Sequence, residues 1–266
     1  MSTSILDRFK LTGKVAVVTG AGRGIGRGIA LAYADAGADV VCAARTQEQI
    51  DDTAEQVRAR GQRALAVRCD VMEPDDRENV IARALSEFGR LDVLVNNAGG
   101  TPPRDAVDTS ERFFEGAFRF NVTTAFLLSR LAAPKMVETA GSGAIVNIAS
   151  RAGNMVQSGF VAYGTAKAGL MFMTQELGAE WAPKVRVNAI GVGGVATDAL
   201  DVVVSNPAIK QAMEERTPMR RIGEVEDIAA CALYLASPAA SWVTGKIFEV
   251  DGGVYRTALD VPTKPL

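Results

Sequence analysis

The chain contains no histidine. This absence excludes Ser-His-Asp and Cys-His mechanisms and the usual ligand set of a catalytic zinc ion, so we predict no metal site. Any proton transfer must use tyrosine, lysine, aspartate or glutamate. Cysteine is also scarce: Cys42, Cys69 and Cys231 are far apart and form no C-x-x-C pair. Ordinary burial of these thiols in a reducing compartment is therefore expected.

Long apolar runs and blocks of like charge are absent too. No stretch approaches the roughly 18 apolar residues that a membrane span needs. The first 14 residues carry charges at Asp7, Arg8 and Lys10 and have no apolar targeting core. The 29 basic and 31 acidic residues give a formal net charge of -2, without a basic block that would follow a phosphate backbone. These features predict a cytoplasmic protein that binds neither membranes nor nucleic acid.

What the chain does contain is an alternation of short β-branched runs and amphipathic segments. Its 266 residues, 48% of them hydrophobic, suffice for one substantial core. Strands are predicted at 15–19, 40–43, 64–68, 91–95, 144–148, 185–190 and 246–250. One helix is predicted directly after the glycine-rich turn that follows the first strand. Further helices are predicted at 47–60, 74–88, 110–136, 161–181 and 225–236, and the helix at 110–136 is expected to bend near Pro134. Residues 191–223 are expected to be irregular.

This alternation predicts an α/β fold, a doubly wound, Rossmann-type and mostly seven-stranded parallel sheet with helices on both faces. No domain break or solenoid repeat interrupts it. We therefore expect a single domain over residues 1–266, with a small substrate lobe at about 195–220.

A glycine-rich turn follows the first strand and reads Thr19-Gly20-Ala21-Gly22-Arg23-Gly24-Ile25-Gly26. Such a turn lets the backbone approach a pyrophosphate and directs the N–H groups of the next helix at it. No register matches G-x-G-x-x-G, and a glycine cluster alone also fits a tight turn. Its place between a strand and a helix of the first βαβ unit favours cofactor binding. The predicted contacts are Gly20, Gly22, Arg23, Gly24, Ile25 and Gly26.

The end of the second strand reads Cys42-Ala43-Ala44-Arg45. In such folds a carboxylate about 20 residues past the glycines bonds the ribose 2′-hydroxyl, whereas an arginine accepts a 2′-phosphate. Because no carboxylate is present here, Arg45, with Arg23 as a second cation, predicts a preference for NADP(H) over NAD(H). The alternative is that Arg45 is simply solvated.

Ser150, Tyr163 and Lys167 form a candidate proton-transfer device. Tyr163 and Lys167 lie four residues apart, so on a helix they share one face about 6 Å apart. An ammonium at that distance favours the phenolate and should lower the tyrosine pKa from about 10. Ser150, on the preceding segment, adds a hydroxyl. Tyrosine and lysine also fall four apart on many helices by chance.

Four motifs occur in order: Thr19-Gly20-x-x-x-Gly24-x-Gly26, Asn96-Asn97-Ala98-Gly99, Ser150 and Tyr163-x-x-x-Lys167. Over residues 13 to about 253 the chain resembles the short-chain dehydrogenase/reductase family. The resemblance implies hydride transfer between C4 of a nicotinamide and a secondary alcohol or ketone. Ser150 would then bond the carbonyl oxygen and Tyr163 would exchange its proton. Lys167 would lower the Tyr163 pKa and hold the nicotinamide ribose.

The resemblance implies further site residues. Asn121 would be catalytic and anchor a water chain to Lys167, although as a mid-helix residue it is unfavourable. Asp70 would contact the adenine beside Val71, and equally fits a helix cap. The remaining implied residues are Asn96 and Asn97, which would hold the sheet together, with Asn97 and Gly99 expected near the cofactor.

The family's nicotinamide segment, Asn-x-Ile-x-Pro-Gly followed by a threonine, corresponds here to residues 188–197. Val192 stands where the family has proline. Loss of the fixed proline φ next to several glycines predicts a less ordered free loop. Thr197 and the backbone of Val195 are the expected carboxamide contacts.

Residues 195–220 are apolar yet irregular, which suits either a mobile lid over a hydrophobic substrate or ordinary core. The apolar residues are Leu200, Val202, Val203, Val204, Met213 and Met219. Stretches at 99–102, 197–200, 217–223 and 237–243 are similar to bacterial 7α-hydroxysteroid dehydrogenases, which implies a hydroxysteroid substrate. The alternatives are a 3-oxoacyl thioester reductase, a reductase of small xenobiotic ketones and a catalytically silent NADP(H)-binding sensor.

The resemblance also implies a homo-oligomer. The segments 110–136 and 161–181 are the family's usual subunit contacts, so a dimer or tetramer is expected. The tail at 255–266 either covers a neighbour's site or is disordered, and the sequence does not choose between the two.

Overall fold

A computed structural model of the chain describes residues 4–197, 205–255 and 263–264. Its strands pair only in parallel, in the order β3-β2-β1-β4-β5-β6-β7. The strands are β1 Val15–Thr19, β2 Asp39–Ala44, β3 Ala64–Arg68, β4 Val93–Asn96, β5 Gly143–Ser150, β6 Val185–Val192 and β7 Ile247–Val250. The predicted doubly wound α/β class is confirmed.

The described residues form eight α-helices, and most of them pack on the sheet. They are α1 Gly24–Asp35, α2 Gln47–Ala59, α3 Pro74–Phe88, α4 Glu111–Phe118, α5 Thr124–Ala140, α6 Val161–Glu180, α7 Pro207–Arg216 and α8 Val225–Ala236. None of the helices in the described ranges is long and apolar enough to cross a bilayer.

The central strands are apolar at nearly every position because both faces of the sheet are covered. Side chains alternate in direction along a strand, so Ala16 and Val18 pack on one face and Val17 on the other. The first face is covered by α1 and α8, which contribute residues such as Ile29 and Ile228. Helices α3 and α5 cover the second face.

Two segments differ from the sequence prediction. The region predicted as one helix at 110–136 consists of α4 and α5 joined by a π-helical turn, Arg119–Thr123, and Pro134 lies inside α5. The region predicted as irregular at 191–223 contains α7. Asn206 caps α7 by accepting hydrogen bonds from Ala208 N and Ile209 N, and Pro207 occupies the first helical position.

The strand order reverses between β1 and β4, which are neighbours in the sheet. At such a switch point the loops that follow the two strands diverge and leave a crevice at their carboxyl ends. The motif residues after β1, β4, β5 and β6 therefore all emerge at one edge of the sheet. The candidate site is built there.

Candidate active site

The turn between β1 and α1, called the glycine turn below, has a backbone geometry suited to binding an anion. Gly20 and Gly24 have φ angles of 64° and 51°, in the left-handed region that favours glycine. A Cβ on Gly26 would lie 2.2 Å from the Gly20 carbonyl oxygen, so only glycine permits this fold-back. The first turn of α1 has no acidic residue and no side-chain cap from Arg23. Its N–H groups therefore suit a pyrophosphate.

Thr53 holds the glycine turn in place, and this role was not predicted from the sequence. Its buried hydroxyl lies 3.0 Å from both the Ala21 and Gln49 carbonyl oxygens. Gln49 also packs against the turn, since a Cβ on Gly22 would lie 2.9 Å from its side chain. The available signal was a hydroxyl on the otherwise apolar face of α2.

Hydrogen bonds through Thr19 join the glycine-rich turn to the Asn96-Asn97-Ala98-Gly99 motif after β4. The Thr19 hydroxyl accepts hydrogen bonds from the N–H groups of Asn97 (3.0 Å) and Ala98 (3.1 Å). The Asn97 amide donates in return to the Thr19 carbonyl at 2.9 Å. Asn96 is buried between β4 and α5, and its amide donates to Asn147 Oδ1 at 2.8 Å and to Ser129 Oγ at 3.0 Å. The contacts of Asn96 match the structural role that the resemblance implies.

At the adenine end, Arg45 is exposed just beyond β2, and Arg23 is exposed on the glycine turn. Asp70 follows β3, and its carboxylate accepts a hydrogen bond from Met72 N at 3.0 Å. The cap residue of α3 is Glu73, so the alternative of Asp70 as its helix cap is wrong. The neighbouring Val71 is buried.

The structure brings Ser150, Tyr163 and Lys167 together. Ser150 ends β5, Tyr163 lies in the first turn of α6, and their side chains share a hydrogen bond. Lys167 is buried, with its Nζ 5.7 Å from the centroid of the Tyr163 ring. That amine donates to the Ile148 carbonyl oxygen at 2.8 Å, which fixes its position.

The electrostatics of this cluster differ from the sequence expectation. Burial raises the pKa of Tyr163, and the hydrogen bond with Ser150 opposes that rise. Burial also lowers the pKa of Lys167 to about 8. The expected lowering of the Tyr163 pKa by Lys167 is therefore wrong for this structure, because desolvation disfavours the charged form of both groups.

Asn121 lies in the π-helical turn between α4 and α5. Its side chain accepts from Gly100 N at 2.8 Å and donates to the Ala117 carbonyl at 2.9 Å. A Cβ on Gly99 would lie 2.8 Å from Asn121 Oδ1 and 3.3 Å from Lys167 Nζ. Asn121, Gly99 and Lys167 thus meet at one point, and π-turns of this kind are frequent at functional sites.

The candidate nicotinamide segment lies beside the glycine turn. Val192 occupies the last position of β6, between Ser150 of β5 and Val250 of β7. Val195 pairs with Gly223, and Thr197 Cγ2 lies 3.5 Å from the position of a Cβ on Gly24. Whether the free loop is less ordered without proline stays a prediction.

The predicted apolar lid lies only partly within the described residues. Met213 of α7 is buried and Met219 is exposed. Leu200, Val202, Val203 and Val204 lie outside the described ranges, as does most of the tail at 255–266. Within those ranges no group of three or more acidic or cysteine side chains could hold a metal ion.

A glycine-rich turn at the switch point, beside a Ser-Tyr-Lys cluster at the same sheet edge, is the arrangement expected of a nicotinamide-dependent oxidoreductase. Comparison with known proteins agrees. The family model described as "Enoyl-(Acyl carrier protein) reductase" matches residues 20–255. The chain belongs to the short-chain dehydrogenase/reductase family, whose members bind a nicotinamide cofactor, and it acts on alcohol or ketone groups.

Individual relatives are similar over nearly their whole length. The chain is 40% identical to 7α-hydroxysteroid dehydrogenase of Escherichia coli K12, with 93% of this chain and 96% of the relative covered. A solved 7α-hydroxysteroid dehydrogenase in complex with NADH and 7-oxo glycochenodeoxycholic acid has a TM-score of 0.91 and 38% identity, covering 97% of this chain and 100% of that one. Gluconate 5-dehydrogenase from Burkholderia cenocepacia, in complex with NADP and tartrate, has a TM-score of 0.88 and 31% identity, covering 94% and 98%.

Proposed function

We propose that the chain transfers a hydride between NADP(H) and a secondary alcohol or ketone of a hydroxysteroid or a similar hydrophobic substrate. The observation that carries the reaction is the meeting of Ser150, Tyr163, Lys167 and Asn121 at the carboxyl edge of the sheet. The steroid class is supported by the similarity to 7α-hydroxysteroid dehydrogenases.

Each residue has a physical task in this proposal. The Ser150 hydroxyl donates to the substrate oxygen, where negative charge develops during reduction. Tyr163 gives its proton to the same oxygen in reduction and removes it in oxidation. When bound, the nicotinamide supplies or accepts the hydride at its C4. Lys167, held by the Ile148 carbonyl, and Asn121 hold the ribose side of the site and the proton path to Tyr163.

A cleft of about 390 Å³ supports a hydrophobic substrate with an acidic group. It borders Gly100 and Ala117, both of which hydrogen-bond with Asn121. Its lining residues are Gly100, Thr101, Pro102, Arg104, Ser110, Arg112, Phe113, Gly116 and Ala117. Arg104 stacks on the Phe113 ring at 4.2 Å, which leaves a guanidinium beside an apolar wall.

The substrate class is tested by steady-state turnover on four substrates: a conjugated bile acid, a neutral hydroxysteroid, an acetoacetyl thioester and a small aromatic ketone. We expect the highest kcat/KM for the conjugated bile acid. In Arg104→Gln the KM should rise for this acidic steroid and not for the neutral hydroxysteroid. Activity on the thioester alone would favour a 3-oxoacyl reductase. Binding of NADPH without turnover of any substrate would favour the silent sensor.

The preference for NADP(H) is proposed separately. It rests on exposed Arg45 and Arg23 and on the absence of a carboxylate at the end of β2. Arg45→Asp should lower kcat/KM for NADPH and raise it for NADH, because a carboxylate repels the 2′-phosphate and bonds the 2′-hydroxyl. A tenfold preference of the wild type for NADH would overturn the proposal.

A further inference from the structure

Arg151 directly follows Ser150, and its side chain is only 12% exposed. Its guanidinium forms an ion pair with Glu249, and its Nε lies 2.7 Å from Asp251 Oδ2. The Nε–H does not point at an acceptor, so the contact with Asp251 is a charge attraction rather than an aligned hydrogen bond. The remaining N–H groups donate to Asn154 Oδ1 at 2.8 Å and to the Val254 carbonyl at 3.2 Å.

These contacts cross the sheet. Ser150 of β5 pairs with Val192 of β6, which pairs with Val250 of β7. Arg151 therefore reaches past the end of β6 to the two carboxylates that flank Val250. We name Arg151, Asn154, Glu249 and Asp251 the Arg151 clamp. The clamp ties the carboxyl ends of β5 and β7 together across the residue where the family has proline and this chain has valine.

The short turn Arg151–Gly153 packs closely against α6, the helix that carries Tyr163 and Lys167. A Cβ on Gly153 would lie 2.8 Å from Ala168 N, and a Cβ on Gly164 would lie 2.7 Å from the Ala152 carbonyl oxygen. Because the turn and α6 are packed this closely, neither can move without displacing the other. A shift of the turn would thus change the distance from Ser150 to Tyr163.

We propose that Arg151 is a positioning residue that holds Ser150 and the start of the nicotinamide segment in register with Tyr163. Its ion pairs act through the backbone of β5 and β6, and the guanidinium itself takes no proton in the reaction. The proposal rests on the roles assigned above to Ser150 and Tyr163. It explains how a strand end without proline is restrained in this chain.

The test is Arg151→Gln beside a matched control, Arg90→Gln. Arg90 makes a comparable ion pair with Asp92, with two N–O distances of 2.7 Å, but Asp92 precedes β4 at the opposite edge of the sheet. Arg151→Gln should lower kcat by about 10- to 100-fold, because small misplacements of catalytic groups have effects of that size. Arg90→Gln should leave kcat unchanged. Thermal unfolding of both variants reports their loss of stability.

Two further readouts separate positioning from plain stability. The hydrogen bond from Ser150 opposes the high pKa of Tyr163, so its loss in Arg151→Gln should move the rising limb of kcat/KM for alcohol oxidation to higher pH. Asp251→Asn should lower kcat more than Glu249→Gln, since Asp251 is 8% exposed and Glu249 is 46% exposed. Arg151→Lys keeps the charge but not the forked contact, and should give an intermediate kcat.

Unchanged kcat and an unchanged pH profile in Arg151→Gln, with a stability loss equal to that of Arg90→Gln, would overturn the proposal. If Arg151→Gln does not fold, a wild-type kcat in both Arg151→Lys and Asp251→Asn would overturn it as well. Tyr163→Phe is measured in parallel. Normal turnover in that variant would refute the proposed function itself, independently of the clamp.

Discussion

At the scale of single residues, Tyr163 lies in a protected site where its hydroxyl has Ser150 as partner. Tyr163→Phe should lower kcat by about 10² or more and leave cofactor binding nearly intact, because only the exchangeable proton is lost. Kinetics and cofactor fluorescence titration measure the two effects. Tyr33→Phe is the control: it removes a buried hydroxyl that donates to the Ala232 carbonyl at 3.0 Å, so it should reduce stability but not kcat.

Lys167 should leave a signature in the pH dependence of stability. Its pKa is about 8 in the folded chain and about 10.4 when unfolded, so between these values the unfolded chain holds more protons. Its contribution to the free energy of unfolding therefore rises with pH over this window, by up to about 3 kcal/mol. Burial also raises the pKa of the Cys42, Cys69 and half-buried Cys231 thiols, and these shifts act in the opposite direction.

The comparison that isolates Lys167 is denaturant unfolding of wild type and Lys167→Met from pH 7 to 10. The variant should be more stable at pH 7, and its advantage should shrink as pH rises, since the buried ammonium disappears from the wild type. An advantage that is constant with pH would contradict the shifted pKa. Tyr163 ionises in the unfolded chain only near pH 10, so it changes the free energy of unfolding only at the upper end of this pH range.

The proximity of Tyr163 and Lys167 could be predicted from the sequence because helical spacing fixes it. The sign of the Tyr163 pKa shift could not, since it depends on how much of the remaining chain covers the phenol. Thr53 was missed for a related reason. A threonine on a helix face becomes a loop anchor only when a carbonyl from another element, here that of Ala21, lies opposite.

At the scale of elements, the strands were predictable because parallel strands covered on both faces are short β-branched runs. The π-helical turn at Asn121 was not. It accompanies the hydrogen bonds of Asn121 to Gly100 and Thr101, which lie about 20 residues earlier in the chain. Helix α7 was missed because its faces are not cleanly amphipathic, although Asn206-Pro207 is a typical helix start.

The contact between the Ser150 turn and α6 gives a prediction for the whole helix. Gly164→Ala should lower kcat by about tenfold or more, because a Cβ 2.7 Å from the Ala152 carbonyl oxygen must push the first turn of α6 away from Ser150. The matched control is Thr165→Ala, at an exposed residue one position further along α6. That control should keep kcat and gain stability, since alanine is the better helix former. Equal kcat values in both variants would contradict the prediction.

At the scale of the whole molecule, phenylalanines remain exposed on the helices that the family uses for subunit contacts. Phe118 of α4, Phe126 of α5 and Phe172 of α6 are 40%, 37% and 63% exposed. Isolated apolar residues are normal on a surface, but several on adjacent helices indicate an interface. A dimer or tetramer is therefore proposed, as the sequence resemblance implied.

Phe172→Glu should shift the protein towards monomer, because a buried unpaired charge at an interface is costly. Sedimentation velocity at micromolar concentration measures the change. Ala59→Glu on exposed α2 is the control and should leave the sedimentation coefficient unchanged. A wild-type protein that sediments as a monomer would refute the proposed assembly. The predicted cytoplasmic location is independent of this result and stays a prediction.

The burial of Cys42 and Cys69 has a practical consequence. Both lie at the glycine-turn end of the sheet, and burial raises the pKa of each thiol to about 12. A thiol in that condition is almost unreactive towards alkylating reagents until the surrounding strands separate. The rate at which iodoacetamide alkylates these two thiols therefore measures how often β2 and β3 transiently separate from their neighbours. Mass spectrometry can follow this rate without an introduced label.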